Sequence, residues 1–205
     1  MLAMTPKLTT RGAVTQTKIV HAATELVQEF GLAGLTMDEV CRRAGVSKSQ
    51  LYHFFETREA LIEAVATTTV DEVLGLQAGL FAELGTMDGI ERWCAALVDL
   101  QIERGSEGGC PIGTLVGQTS SRHVATAAIL GEGLTAWTEA IERGLAAMGD
   151  RGDFIEGFDP HREAGLFMVA VQGGLLLTDA HRDYQWLSLA LNERCSLLRE
   201  KLRVA

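Results

Sequence analysis

Residues 36–58 read TMDEVCRRAGVSKSQLYHFFETR, and this stretch decides the fold. Thr36 stands three residues before Glu39, and Ser47 stands three residues before Gln50. Each pair is a capping box: the hydroxyl accepts from a free amide in the first helical turn, and the longer side chain reaches back. Two short helices are therefore predicted. The first carries Met37, Val40, Cys41 and Ala44 on its inner face, and the second runs from Ser47 through Phe55. Gly45 stands between them, and glycine enters positive φ at little cost. Two short helices joined by so tight a turn have the geometry of a helix-turn-helix. Val40, Val46, Leu51 and Phe54 are spaced to lock the pair together. That packing leaves Ser47, Lys48, Ser49, Gln50 and His53 outward, with hydrogen-bonding groups suited to base edges and phosphates.

The pattern outside this stretch is also helical. Upstream, Ile19, Ala22, Ala23, Leu26, Val27 and Phe30 recur at 3–4 spacing, so residues 16–30 form an amphipathic helix that Gly31 stops. Downstream, Leu61, Ile62, Val65, Thr69, Val70 and Val73 share one stripe of a helix expected from Thr57 to about Leu84. Further helices are expected around Ile90–Gln101, Pro111–Gln118, Val124–Met148, Asp159–Leu177 and Tyr184–Leu202, with Gly-rich loops at 105–109 and 149–157. Asp159 and Pro160 form a cap and first helical position. No strand pattern competes. The fold class is all-α, with about nine helices.

Composition narrows the function. The 205 residues carry 18 basic and 27 acidic side chains, a net charge of −9, so no polyanion is bound along the whole surface. The charge is uneven: residues 1–60 are near neutral at +1, and residues 61–205 carry −10. The four cysteines, Cys41, Cys94, Cys110 and Cys195, have no metal-type spacing and fit free thiols. No zinc-peptidase, nucleophile-elbow or P-loop motif occurs, so no catalytic residue, metal or cofactor is expected. The N-terminus lacks the apolar core of a signal peptide, and the apolar run Ala164–Leu177 is short for a membrane span. A soluble, cytoplasmic protein that engages no membrane is expected.

The segment from about Thr15 to Val65 resembles the TetR family of bacterial transcriptional regulators. The resemblance lies in the helix ending Phe30-Gly31, then Thr36-Met-Asp-Glu-Val, Ala44-Gly-Val-Ser-Lys48, Leu51-Tyr-His53-Phe and Arg58-Glu-Ala-Leu61. Cys41 stands where the family usually has Ala, and Arg58 where Lys is commonest. The resemblance implies a three-helix DNA-binding domain over residues 1–60, with an N-terminal arm at 1–14, and a helical effector-binding and dimerisation domain over 61–205. It also implies roles. Thr36 presents a hydroxyl and a helix N-terminus to a phosphate. Ser47, Lys48, Ser49 and Gln50 enter the major groove, Lys48 and Gln50 at base edges. Tyr52 and His53 touch phosphates, and Arg58 grips the DNA backbone. Arg11, Thr15 and Lys18 reach phosphates or the minor groove. The implied function is that of a repressor, which binds a palindromic operator in double-stranded DNA as a dimer and is released by a small effector.

The helix opening at Asp159 is apolar nearly all round and must be covered on several sides. The last helix and the same pair from a second subunit supply that cover, making a homodimer through the last two helices. The candidate effector residues are Trp93, Leu97, Gln101, Cys110, Leu115, Trp137, Phe167 and Gln172, which suit a small, largely apolar molecule. Cys110 follows a Gly-rich loop at a helix N-terminus, where a thiol is easier to ionise. This opens an alternative, a repressor that senses oxidants or electrophiles through Cys110. A remoter alternative is a helical enzyme with Cys110 as nucleophile.

Overall fold

A computed structural model describes residues 10–119 and 123–203. Among them no strand forms beyond one isolated bridge, Phe154 to Leu202. The chain divides into two compact units. One comprises residues up to 69 together with 118–130, and the other comprises 70–117 together with 131–205. The crossing at 69/70 lies within a continuous helix, and the later segment 118–130 belongs to the first unit. The arm residues 1–9 lie outside the described residues.

The first unit starts with α1 (Thr10–Gly34), which buries Ile19, Ala22, Ala23, Leu26 and Val27 on one stripe. Phe30, expected on that stripe, is exposed. Gly31 interrupts the helix with φ 68° and ψ 177°, a region open only to glycine. There the Leu32 amide donates to Oε1 of Gln118 at 2.6 Å, and a Cβ on Gly31 would meet that same oxygen at 2.9 Å. Then come α2 (Met37–Ala44), α3 (Lys48–Phe54) and α4 (Arg58–Gly75). Val40, Leu51, Leu61 and Val65 are fully buried and form the shared core. Arg43 ties α2 to α1 with two bonds to Glu29, at 2.6 and 2.9 Å.

The helix expected to continue to Leu84 ends at Gly75. Gln77 turns inward instead, accepting from Trp93 Nε1 at 2.9 Å and donating to the Val73 carbonyl at 2.9 Å. A single turn, α5 (Ala78–Phe81), follows. The remaining helices are α6 (Met87–Glu103), α7 (Pro111–Gln118), α8 (Val124–Asp150), α9 (Pro160–His181) and α10 (Gln185–Arg199). The described residues thus hold nine helices of seven or more residues, plus α5.

In the second unit α9 and α10 pack closely: a Cβ on Gly174 would stand 2.9 Å from Leu187 Cα. Glu163, 2% exposed, holds the pair together through Arg194 at 2.5 Å and through Lys201. The Arg194 guanidinium also lies 5.3 Å over the Phe167 ring. Among the described helices, α9 is the one long and apolar enough to cross a bilayer by length and composition. One face packs in the core through Ala164, Phe167, Val171 and Leu175, while Val169 and Leu176 are exposed, as is Leu189 on α10.

Candidate nucleic-acid interface and effector core

The turn between α2 and α3 forms as its sequence dictates. The Thr36 hydroxyl accepts from the Glu39 amide at 3.3 Å. The reciprocal bond is absent, because the Glu39 carboxylate is bound to Arg42. Gly45 sits at φ 65° and closes α2, and the Val46 amide reaches back to the Cys41 carbonyl at 3.1 Å. Ser47 and Gln50 form the complete box: the Gln50 amide donates to Ser47 Oγ at 3.2 Å, and the Ser47 amide donates to Gln50 Oε1 at 2.9 Å.

These bonds set which side chains face outward. Ser47, Lys48, Ser49, Gln50, Tyr52 and His53 are all exposed on α3, and Thr36 is exposed at the start of α2. Two differ from expectation in what they touch. Gln50 uses one lone pair of its carbonyl oxygen on the cap, which fixes the side chain and leaves its NH2 outside that bond. Lys48 pairs with Asp38 at 2.7 Å, and that hydrogen bond raises its pKa.

Arg58, expected to grip the DNA backbone, is bonded within the protein through two of its three guanidinium nitrogens. Nε donates to the Leu35 carbonyl at 2.8 Å, and Nη2 donates to the Leu32 carbonyl. The Leu32 carbonyl also accepts from the Leu35 amide at 3.3 Å, while the part-buried Arg58 side chain supplies the Leu35 carbonyl with its donor. Arg58 is therefore a clamp across the α1–α2 connection. Arg11, Thr15 and Lys18 lie on α1, where the Thr15 hydroxyl donates to the Arg11 carbonyl at 3.0 Å.

All eight expected effector residues fall in the second unit, and four of them meet in two pairs. Trp93 meets Phe167 edge-on, with ring centroids 6.2 Å apart. Gln172 Nε2 donates to the Cys110 sulfur at 3.5 Å, and the Gly113 amide donates to the same sulfur at 3.4 Å. Cys110 is therefore a buried cap on α7. Leu97 and Leu115 are buried. Gln101 Oε1 and Trp137 Nε1 are buried with no hydrogen-bond partner among the described residues. A cleft of about 510 Å³ lies between α6 and α10, lined by Glu91, Cys94, Asp99, Asn192, Cys195 and Arg199 among others. None of the eight lines it. Sequence reasoning missed this cleft, whose only signal was that Cys94 and Cys195 sit on inner helical stripes.

Comparison with known proteins agrees with this architecture. Residues 19–65 match the family described as bacterial regulatory proteins, tetR family. Residues 86–193 match the C-terminal domain of LmrA/YxaF-like transcriptional regulators. The HTH-type transcriptional regulator UidR of Escherichia coli strain K12 is 36% identical over 62 residues, which is 30% of this chain and 32% of UidR. The chain thus matches about a third of the length of that relative. The uncharacterized HTH-type transcriptional regulator YxaF of Bacillus subtilis strain 168 is 24% identical over 196 residues, covering 95% of this chain and 100% of YxaF. A crystal structure of a TetR transcriptional regulator from Chloroflexus aurantiacus J-10-FL superposes with a TM-score of 0.80 at 21% identity, over 96% of this chain and 100% of that one. That likeness shows a shared fold.

Proposed function

The chain belongs to the TetR family of bacterial regulatory proteins, and from that premise we propose that it is a cytoplasmic, ligand-responsive transcriptional repressor. It binds a palindromic operator as a homodimer and leaves it when a small effector binds. The observation that carries this reading is the face of α3. Ser47, Lys48, Ser49, Tyr52 and His53 are exposed together on a helix whose other side is anchored by fully buried Leu51. A short, rigid helix with polar and cationic groups on one side fits the major groove. Thr36 adds a helix N-terminus for a phosphate.

Two further observations support the partners. The exposed apolar side chains Val169, Leu176 and Leu189 suit burial against a second copy through α9 and α10. Such a dimer presents two copies of α3 to half-sites roughly 34–36 Å apart or somewhat more. The unpartnered acceptor of Gln101 and donor of Trp137 suit an effector that is mostly apolar but carries a hydrogen-bond donor and an acceptor. Its effect on DNA follows from differential affinity: it prefers the conformation whose α3 helices miss the half-site spacing.

The test is fluorescence anisotropy with a palindromic duplex taken from upstream of the protein's own gene, across a salt series. Binding should weaken steeply with salt. Tyr52→Ala and Lys48→Ala should abolish binding while the variants remain folded dimers. Full affinity in both variants at fixed salt would remove α3 from the interface.

A further inference from the structure

Cys94 and Cys195 are 101 residues apart in sequence, yet their sulfurs lie 3.6 Å apart between α6 and α10. Each is nearly buried, at 5% and 7% exposure, and both line the open cleft. A buried cysteine alone is ordinarily a small apolar side chain. Two facing thiols at the floor of a cleft are a different chemical object, because a small oxidant can reach them and each sulfur has the other within reach. A disulfide needs about 2.05 Å between sulfurs, so closure requires an approach of about 1.5 Å.

The surroundings divide the labour between the two sulfurs. When Cys195 ionises, the Cys94 S–H donates to it, and Arg199 and Arg194 add positive charge. Burial and Glu91 oppose this, and the balance holds Cys195 below the usual thiol range. Cys94 is pushed up, by the Cys195 sulfur beside it and by burial. Arg199 is itself held at the cleft by Glu91 through two bonds of 2.6 Å.

We propose that Cys94 and Cys195 form a dithiol site that a hydroperoxide oxidises to a reversible disulfide, fastening α6 to α10. In the first step the Cys195 thiolate attacks one peroxide oxygen. The S–O bond forms, the O–O bond breaks, and the departing alkoxide takes up the proton that Cys195 released, leaving as an alcohol or water. In the second step the Cys94 sulfur attacks the resulting sulfenic sulfur. The S–S bond forms, the S–O bond breaks, and hydroxide leaves with the Cys94 proton as water. The two thiols lose two electrons and two protons, and the peroxide is reduced by two electrons. The chemistry requires neither DNA nor effector, so it stands apart from the proposed repressor function.

The test treats the full-length chain with hydrogen peroxide, both as wild type and as a Cys41→Ser/Cys110→Ser variant that retains only this pair. The readouts are intact mass and peptide mapping. Loss of two hydrogens, a linked peptide pair joining α6 to α10, and full reversal by dithiothreitol are expected in both chains. In Cys94→Ser the linked pair should fall to background and dimedone should mark Cys195. If the serine variant does not fold, the wild-type map decides alone. Recovery of both thiols free after peroxide treatment that oxidises glutathione would overturn the proposal. So would over-oxidation of either cysteine without a linked pair.

Discussion

Replacing Glu163 by Gln tests the ion cluster that joins α9 to the C-terminal segment. Gln keeps the volume and one acceptor oxygen, so the charge is what changes. Glu163 is 2% exposed, while the side chains of Arg194 and Lys201 are 13% and 30% exposed. Removing one partner of a buried pair costs about 3–5 kcal/mol, because the other charge is left unpaired where water is scarce. Lys201 keeps part of its hydration, so the lower end applies: about 3 kcal/mol, or roughly 6–12 °C in Tm for a chain of this size. The loss also depends on pH. Burial pushes the Glu163 carboxyl up, but the bonds and charges of Lys201 and Arg194 outweigh it and hold the pKa below its ordinary value. A group whose folded pKa is depressed contributes its full stability above the unfolded value and loses it as pH falls through the folded one. Wild type and Glu163→Gln should therefore differ most at neutral pH and converge in acid. Thermal melts followed by far-UV circular dichroism, from pH 7 down into the carboxylate range, measure both effects. A difference below about 2 °C at neutral pH, set against the expected loss, would refute the reasoning. A difference that stays constant with pH would refute it equally.

Two glycines of α8 should respond in opposite directions. A Cβ on Gly144 would stand 2.6 Å from the Leu84 carbonyl oxygen, whereas nothing lies within 4 Å of one on Gly131. Gly131→Ala should raise stability by about 0.5–1 kcal/mol and Gly144→Ala should lower it, as urea midpoints would report. Arg58→Ala removes the donor to the Leu35 carbonyl and one of the two donors to the Leu32 carbonyl, and should destabilise the first unit by about 1–3 kcal/mol, with Arg58→Lys recovering only part. Equal stability of Arg58→Ala and wild type in denaturant melts would return Arg58 to the list of free cations. Asp38→Asn releases Lys48 from its partner and removes a negative charge beside α3, so operator affinity at low salt should rise a few-fold and the gain should fade as salt is added.

Much of the first unit was legible because its signals are local. The Ser47–Gln50 box, the turn at Gly45 and the breaker at Gly31 act within a few residues of where they stand, and each forms as read. What was not legible has another origin: partners distant along the chain. Arg58 donates to carbonyls 23 and 26 residues upstream, in the stretch where α1 gives way to α2. The long helix expected to reach Leu84 ends early at Gly75, where Gln77 turns in to meet Trp93, 16 residues on. Phe30 has the right spacing for the inner stripe and still faces outward, next to the break. The exposed face of α3 could be read from the pattern, but the pairing of Lys48 with Asp38 could not, since it depends on the angle between α2 and α3. In the second unit helical spacing identified buried side chains but not their neighbours, so the meeting of Cys94 with Cys195 became visible only with the fold.

The amide of Leu32 finds its acceptor on Gln118, a residue that the chain reaches only after passing through α4, α5, α6 and α7. The reading head is consequently not one contiguous piece of gene. A fragment cut after residue 69 leaves out 118–130 and strands that amide at the one point where α1 is already broken. Anyone grafting this head onto a foreign body, or shuffling it between relatives, has to transplant two separate stretches of the gene together.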